Sequence, residues 1–223
     1  MTGYNSILKV GGSYGDLYGQ TLKVNDQGRI LVTSEGYPIP SGTKDLLGNS
    51  NPDFRIGFNN NFTYKDFSLS ILIDGSFGGQ VMSLTDMYLD FAGVSKESGE
   101  ARNNGGVEVN GVVEGEDTPV NLIDAEKWYK TIGNGIVGEY MYDATTVRFR
   151  ELSFGYSLPV HKMNLNFLKG VKLSFIGRNL FYFHRSAPYD PDITLSTGNG
   201  FSGVDMFAVP ATRNLGLKLD VTL

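Results

Sequence analysis

The chain carries two histidines, His161 and His184, and no cysteine. Neither histidine has an acid or a serine at a spacing that makes a general base or a nucleophilic relay. Without cysteine there is no thiolate nucleophile, thiolate metal site or disulfide. Asp190, Asp192, Thr194 and Ser196 alternate like the opening of a calcium loop. Leu195, however, stands where the tight turn needs glycine, and Phe201 where the bidentate glutamate belongs. A looser oxygen-ligated ion is the most this spacing supports, and no metal is expected. Gly198-Asn-Gly200-Phe-Ser-Gly203 fits the G-x-G-x-x-G pattern of dinucleotide sites, which needs a strand before it and a helix after it. Pro210 and Arg213 lead into a strand instead, so these glycines read as a loop tip. Asn61-Phe-Thr63 has the form of a glycosylation sequon but falls in a strand-like run, not a surface loop. No catalytic set and no cofactor remain, and the chain is not expected to be an enzyme.

Polar chemistry concentrates between about residues 78 and 145. Twelve acidic residues, among them Asp86, Asp90, Glu97 and Glu100, face four basic ones there, a local balance of −8 in a chain of net charge −5. Such a segment repels anions and attracts cations or a basic partner surface, although a solvated loop is the plainer account. The net negative charge also argues against nucleic acid as a partner. Tyr88, Phe91, Trp128, Tyr129, Tyr140 and Tyr142 lie in the same segment. Aromatics on a loop suit stacking on sugar rings or packing on a partner protein; packing within the loop is the alternative. Trp128-Tyr129 is the pair most expected at a contact, because these residue types dominate binding hot spots.

The elements that must carry this segment read as long strands. Leu215, Leu217, Leu219, Val221 and Leu223 share one face, and Asn214, Gly216, Lys218, Asp220 and Thr222 the other. Phe67, Leu69, Ile71, Ile73 and Phe77 repeat the pattern, as do Phe54, Ile56, Phe58, Phe62 and Tyr64. Val147 and Phe149 alternate with Arg148 and Arg150. The phase then slips before Leu152, Phe154, Tyr156 and Leu158, as a β-bulge near Arg150-Glu151 would require. Residues 171–183 give a fifth run. Each run is about 10–13 residues, where a globular strand averages about 5–6 and a tilted bilayer crossing needs about 9–11. No apolar run approaches the ~18 residues of a membrane helix.

The connections alternate in length: a tight hairpin at Lys65-Asp66, a long segment over about 78–145, a short turn after Pro159, and a long one over about 184–211. Short turns on one side and long loops on the other belong to an outer-membrane barrel. The fold class is therefore all-β, an antiparallel transmembrane β-barrel segment in the outer membrane, with residues 54–223 as barrel strands and loops. Residues 1–53 read as loop and short hairpin. On the polar rows, Arg55, Asp74, Arg148, Arg150, Arg178, Lys218 and Asp220 are the expected lumen-facing charges. Tyr64, Phe67, Tyr156, Phe181, Tyr182 and Phe183, near strand ends, suit an interfacial girdle.

Several segments resemble late barrel strands of SusC/RagA-type TonB-dependent transporters. They are Asn51-Pro-Asp-Phe54 with Gly57-Phe-Asn-Asn60, then Tyr142-Asp-Ala144 with Val147-Arg-Phe-Arg-Glu-Leu-Ser-Phe-Gly-Tyr-Ser-Leu-Pro159, then Gly177-Arg-Asn-Leu180, and Pro210-Ala-Thr-Arg-Asn-Leu-Gly-Leu-Lys-Leu-Asp-Val-Thr-Leu223. The resemblance implies a 22-stranded barrel, of which this chain supplies the C-terminal strands without the plug domain. It implies import of glycans, oligosaccharides or peptides, a SusD-like surface lipoprotein as partner, and TonB engaged through an N-terminal part not contained here. Leu223 departs from the family's usual final aromatic. About five strands cannot close a barrel, so order is expected only with further strands or by self-association. The rival readings are a soluble or surface β-sandwich that binds glycans and an outer-membrane barrel without transport.

Overall fold

The structure, a computed structural model, describes residues 4–6, 9–160, 167–192 and 202–223. The first strands are β1 (Tyr4–Ser6), β2 (Asp16–Gly19), β3 (Ile30–Val32), β4 (Asp45–Asn49), β5 (Phe54–Tyr64), β6 (Phe67–Phe77) and β7 (Gln80–Ser83). Helices α1 (Leu84–Phe91) and α2 (Lys96–Asn103) follow, then β8 (Val107–Val113), β9 (Pro119–Ile123) and α3 (Ala125–Ile132). A 3-10 turn at Val137–Tyr140 leads to β10 (Met141–Asp143), β11 (Thr146–Leu158), β12 (Gly170–Arg185), β13 (Val204–Asp205) and β14 (Asn214–Thr222). The chain divides into two compact units. Residues 52–78, 144–190 and 209–223 form a long-stranded sheet, and residues 1–51, 79–143 and 191–208 form a mixed unit.

In the sheet unit, β5, β6, β11, β12 and β14 pair antiparallel in chain order. They are 11, 11, 13, 16 and 9 residues long, long enough to cross a bilayer at a tilt of about 45°. Register sorts the side chains strictly. Phe67, Leu69, Ile71 and Ile73 lie opposite Tyr64, Phe62, Asn60 and Phe58 on β5 and opposite Tyr156, Phe154, Leu152 and Phe149 on β11. Leu173 and Phe175 on β12, then Leu219 and Leu217 on β14, extend the same rows. Asn60 is the polar exception on that face.

Burial on this sheet is inverted relative to a soluble protein. Leu217 is 78% exposed and Phe58 57%, whereas Ser174 and Arg148 on the opposite face are 5% and 6% exposed. Each large apolar side chain left in water forgoes about 1.5–3 kcal/mol. A face with more than ten of them is therefore a face for hydrocarbon. Aromatic rows mark its two ends. Phe67 packs 4.8 Å from Tyr156 at the hairpin end, and Phe54 stacks 4.9 Å from Phe77 at the other. Ten residue steps separate these rows on β5. At about 3.4 Å each that is about 34 Å along the strand, or about 24 Å of height at a tilt of about 45°, close to the ~25 Å apolar band of such barrels.

The phase slip is a bulge. Phe149 and Glu151 of β11 face the adjacent residues Ile73 and Leu72 of β6, so Arg150 is the inserted residue. The insertion places Arg150 and Glu151 together on the polar face. On β12 the answering irregularity includes Asn179 at φ 51, a left-handed conformation that asparagine tolerates.

The mixed unit packs conventionally. Leu17, Val32, Met82, Ile123, Trp128, Ile132, Val137, Tyr140 and Val204 form its core. The stretch read as loop over 78–145 contains three helices of eight residues each. Each is capped by a side chain accepting from a first-turn N–H: Ser83 from Asp86, Ser95 from Ser98, and Asp124 from Lys127. Ala125, Trp128 and Ile132 form the buried stripe of α3. Within residues 1–51 the turn at 25–29 closes on Asn25 Oδ1, which accepts from the Gln27 and Arg29 N–H groups at 3.0 and 2.9 Å. Its φ of +75° explains glycine at position 28. β3 then pairs parallel with β8.

Candidate functional site

The sheet register brings all seven expected lumen charges to the polar face. Asp74 lies opposite Arg148, whose Nε donates to it at 2.8 Å, while Arg150 Nη2 donates at 2.5 Å. Arg148 Nη1 also lies 3.6 Å from Asp190, and both side chains are 7% exposed. Arg178 pairs with Glu151 at 2.8 Å and Lys218 with Asp220 at 2.8 Å. Arg55 stands on the same face, opposite Ser76. The bulge at Arg150 lets one carboxylate engage two guanidiniums from a single strand. These groups largely neutralise one another, so the face presents polarity more than net charge.

Asp190, which the sequence placed in a would-be calcium loop, is instead the counter-ion of Arg148. Thr194, Leu195, Ser196, Gly198 to Gly200, Phe201 and His161 lie outside the described residues. His184 shares a 3.0 Å hydrogen bond with Ser186 in an exposed position. Among the described residues no cluster of His, Cys, Asp or Glu is arranged to hold a metal ion.

The six loop aromatics divide by burial. Trp128 and Tyr140, at 8% and 3% exposure, belong to the core of the mixed unit. Of the two readings of these aromatics, packing within the segment describes Trp128 and Tyr140. The helical period of α3 turns Trp128 inward beside Ala125 and Ile132, while its neighbour Tyr129 stays half-buried. Phe91 is exposed, and Tyr88 packs 5.9 Å from Phe207.

Two tyrosines hold acids, one buried (Asp90) and one half-buried (Asp86). Tyr140 Oη donates to Asp90 at 3.0 Å, and Tyr142 Oη to Asp86 at 3.0 Å. Ser95 Oγ donates to the other Asp90 oxygen. Burial pushes both carboxyls above the ordinary carboxylate range, outweighing the hydrogen bonds they accept, and neighbouring Glu97 adds to the shift. Burial and then the adjacent carboxylates raise the Tyr140 and Tyr142 hydroxyls well above their usual value. Beside Asp90 a cavity of about 290 Å³ opens between the end of α1, α2 and α3, with Phe91 and Tyr129 among its walls. Sequence spacing gave no sign of it, because Asp90, Ser98 and Tyr129 meet only once the three helices pack.

A meander of long strands with an exposed apolar face, aromatic rows at both ends and a polar opposite face defines the wall of an outer-membrane-type β-barrel. No family model matches the chain. It is 25% identical over 239 residues to TonB-dependent receptor P3 of Formosa agariphila, a match that covers 96% of this chain and 23% of that protein. With TonB-dependent receptor P39 of the same organism the identity is 25% over 180 residues, covering 80% of this chain and 17% of the relative. The chain thus spans about a fifth of the length of these curated relatives. Among solved structures, the RagAB peptide transporter aligns with a TM-score of 0.53 at 14% identity, covering 92% of this chain and 22% of that one. The RagAB peptide importer in its open-open state gives 0.55 at 12% identity, covering 98% and 24%. These describe the fold. The sequence likeness is to a stretch of TonB-dependent receptors, and the likeness of fold is to RagAB.

Proposed function

We propose that this chain forms part of the barrel wall and outer loops of an outer-membrane receptor that imports nutrients by a TonB-dependent route. The observation that carries the reading is the inverted sheet: an apolar face about one bilayer tall, backed by a hydrogen-bonded polar face. The polar face, with Arg55, Asp74, Arg148, Arg150, Arg178, Lys218 and Asp220, lines the lumen. The long connections between the strands are the extracellular loops of the barrel. There Phe91 and Tyr129 are the aromatics we assign to contact with ligand or with a SusD-like surface lipoprotein. The cargo is a glycan, an oligosaccharide or a peptide, and TonB acts through another part of the receptor.

Uptake of labelled oligosaccharide and peptide pools, compared between cells with and without the gene, tests this reading. Gene-dependent uptake that collapses with the proton-motive force is the expected result. Unchanged uptake on deletion overturns import. Extraction of the protein as a detergent-free soluble monomer overturns the barrel as well.

A further inference from the structure

The cavity beside Asp90 has features that the import reading does not use. Its walls come from three helices: Asp90 and Phe91 at the end of α1, Ser98 and Arg102 on α2, Glu126 and Tyr129 on α3. Asp90 is 8% exposed. It accepts from Ser95 and Tyr140, yet among the described residues no ion pair reaches it. The charged groups acting on it are the acids Glu97 and Asp86. A buried carboxylate in an acidic field is costly unless a cation meets it. Two cations, Arg102 and Lys130, also line the cavity; both are exposed and each is held by another lining residue rather than by Asp90. Arg102 Nη1 donates to the Gly93 carbonyl at 2.7 Å, and Lys130 pairs with Glu126 at 2.6 Å. Phe91 is exposed, and Tyr129 is half-buried with no hydrogen bond from its hydroxyl to a described residue. Aromatic faces beside an unmatched carboxylate are the usual surroundings of a bound ammonium group.

We propose that this cavity binds the primary ammonium group of a ligand, with Asp90 as its counter-charge and Tyr129 and Phe91 as its aromatic walls. A volume of about 290 Å³ admits an ammonium group and one ring or short chain, not a whole polymer. The ammonium of a peptide terminus and that of an amino sugar share this chemistry. The inference rests on the receptor reading only for the protein in which it is tested, since binding is measured without transport.

The test uses the intact receptor in detergent at neutral pH, with benzylamine as probe and benzyl alcohol as its uncharged counterpart. Benzylamine is expected to bind about tenfold more tightly. Asp90→Asn should bring the two within about twofold. Because Asp90 also anchors Ser95 and Tyr140, Tyr129→Leu serves as a second variant that leaves those contacts in place. It should lower the preference for the amine by about two- to fivefold. Displacement of benzylamine by triglycine but not by N-acetyltriglycine assigns a peptide terminus. Displacement by glucosamine but not by N-acetylglucosamine assigns an amino sugar. Equal binding of amine and alcohol, no amine binding up to about 10 mM, or no displacement by either free amine overturns the proposal. If the cavity fails these tests while gene-dependent uptake persists, the import reading stands without it.

Discussion

The two units of this chain use the same side chains for opposite ends. In the mixed unit Trp128, Ile132, Val137 and Met82 are buried and most charges lie outside, with Asp16, Asp90 and Asp205 the buried exceptions. In the sheet, Leu215, Leu217, Phe58 and Phe62 are exposed and Arg148 is buried. One chain cannot follow both patterns in one solvent. The difference says that the units face different media: water around the helices, and hydrocarbon against the apolar face of the sheet. It also explains why average composition is uninformative here. At 40% hydrophobic and 19% charged the chain resembles an ordinary soluble protein, because alternation hides the lipid face.

Substitutions that respect one pattern and violate the other separate the two media. The largest effect is expected at Trp128, where truncation to alanine opens a cavity in the core of the mixed unit. Trp128→Ala should cost about 3–5 kcal/mol, read as a lowered denaturation midpoint of that unit. A pair on β6 comes next. Ile71→Arg puts a charge in the middle of the apolar face and should cost about 2–4 kcal/mol in lipid vesicles. Ser70→Arg, one residue away on the polar face, should cost far less. Equal costs would mean that the faces do not see different media. A smaller effect is expected on the polar face. Asp74→Ala leaves Arg148 and Arg150 facing each other, and the Asp190 contact that Arg148 keeps reduces the usual penalty of breaking a buried pair to about 2 kcal/mol. Arg178→Ala breaks only an exposed pair with Glu151 and should cost about 0–1 kcal/mol. Urea titration of both variants in vesicles gives the order.

The sheet was legible in the sequence because each feature has period two. The rows from Phe67 to Phe77 and from Leu215 to Val221 needed only counting. The slip at Arg150-Glu151 announced the bulge, since an inserted residue is the one local event that shifts phase without ending a strand. The mixed unit was less legible. Its helices are eight residues long, too short for a 3.6-residue period to declare itself. Their caps at Ser83, Ser95 and Asp124 were the available signal, each followed by an acid in the first turn. The inward packing of Trp128 was not legible because residue type suggests a hot spot, whereas position on α3 sets which way the side chain turns. The pairing of Arg148 with Asp190 joins residues 42 apart in sequence, which no spacing rule connects.

The contrast between the units extends to pH. Asp86 and Asp90 are held above the ordinary carboxylate value of 3.8, first of all by burial. A carboxyl with a raised folded-state value binds its proton more readily when folded than when unfolded. Its contribution therefore favours folding in acid and is lost as pH rises from about 4 through the raised value. The mixed unit should accordingly gain local stability on mild acidification, opposite to the behaviour of carboxylates held by cations. Asp86→Asn removes one titrating group while keeping an acceptor for Tyr142, and should flatten that dependence with little change in acid. The slope of hydrogen-exchange protection in α1 between about pH 4 and pH 7 reports it, because local opening is what exchange measures. A slope unchanged in Asp86→Asn would mean that this acid titrates as it does in the unfolded chain, and that the tyrosine–acid pair is more open to water than its geometry implies.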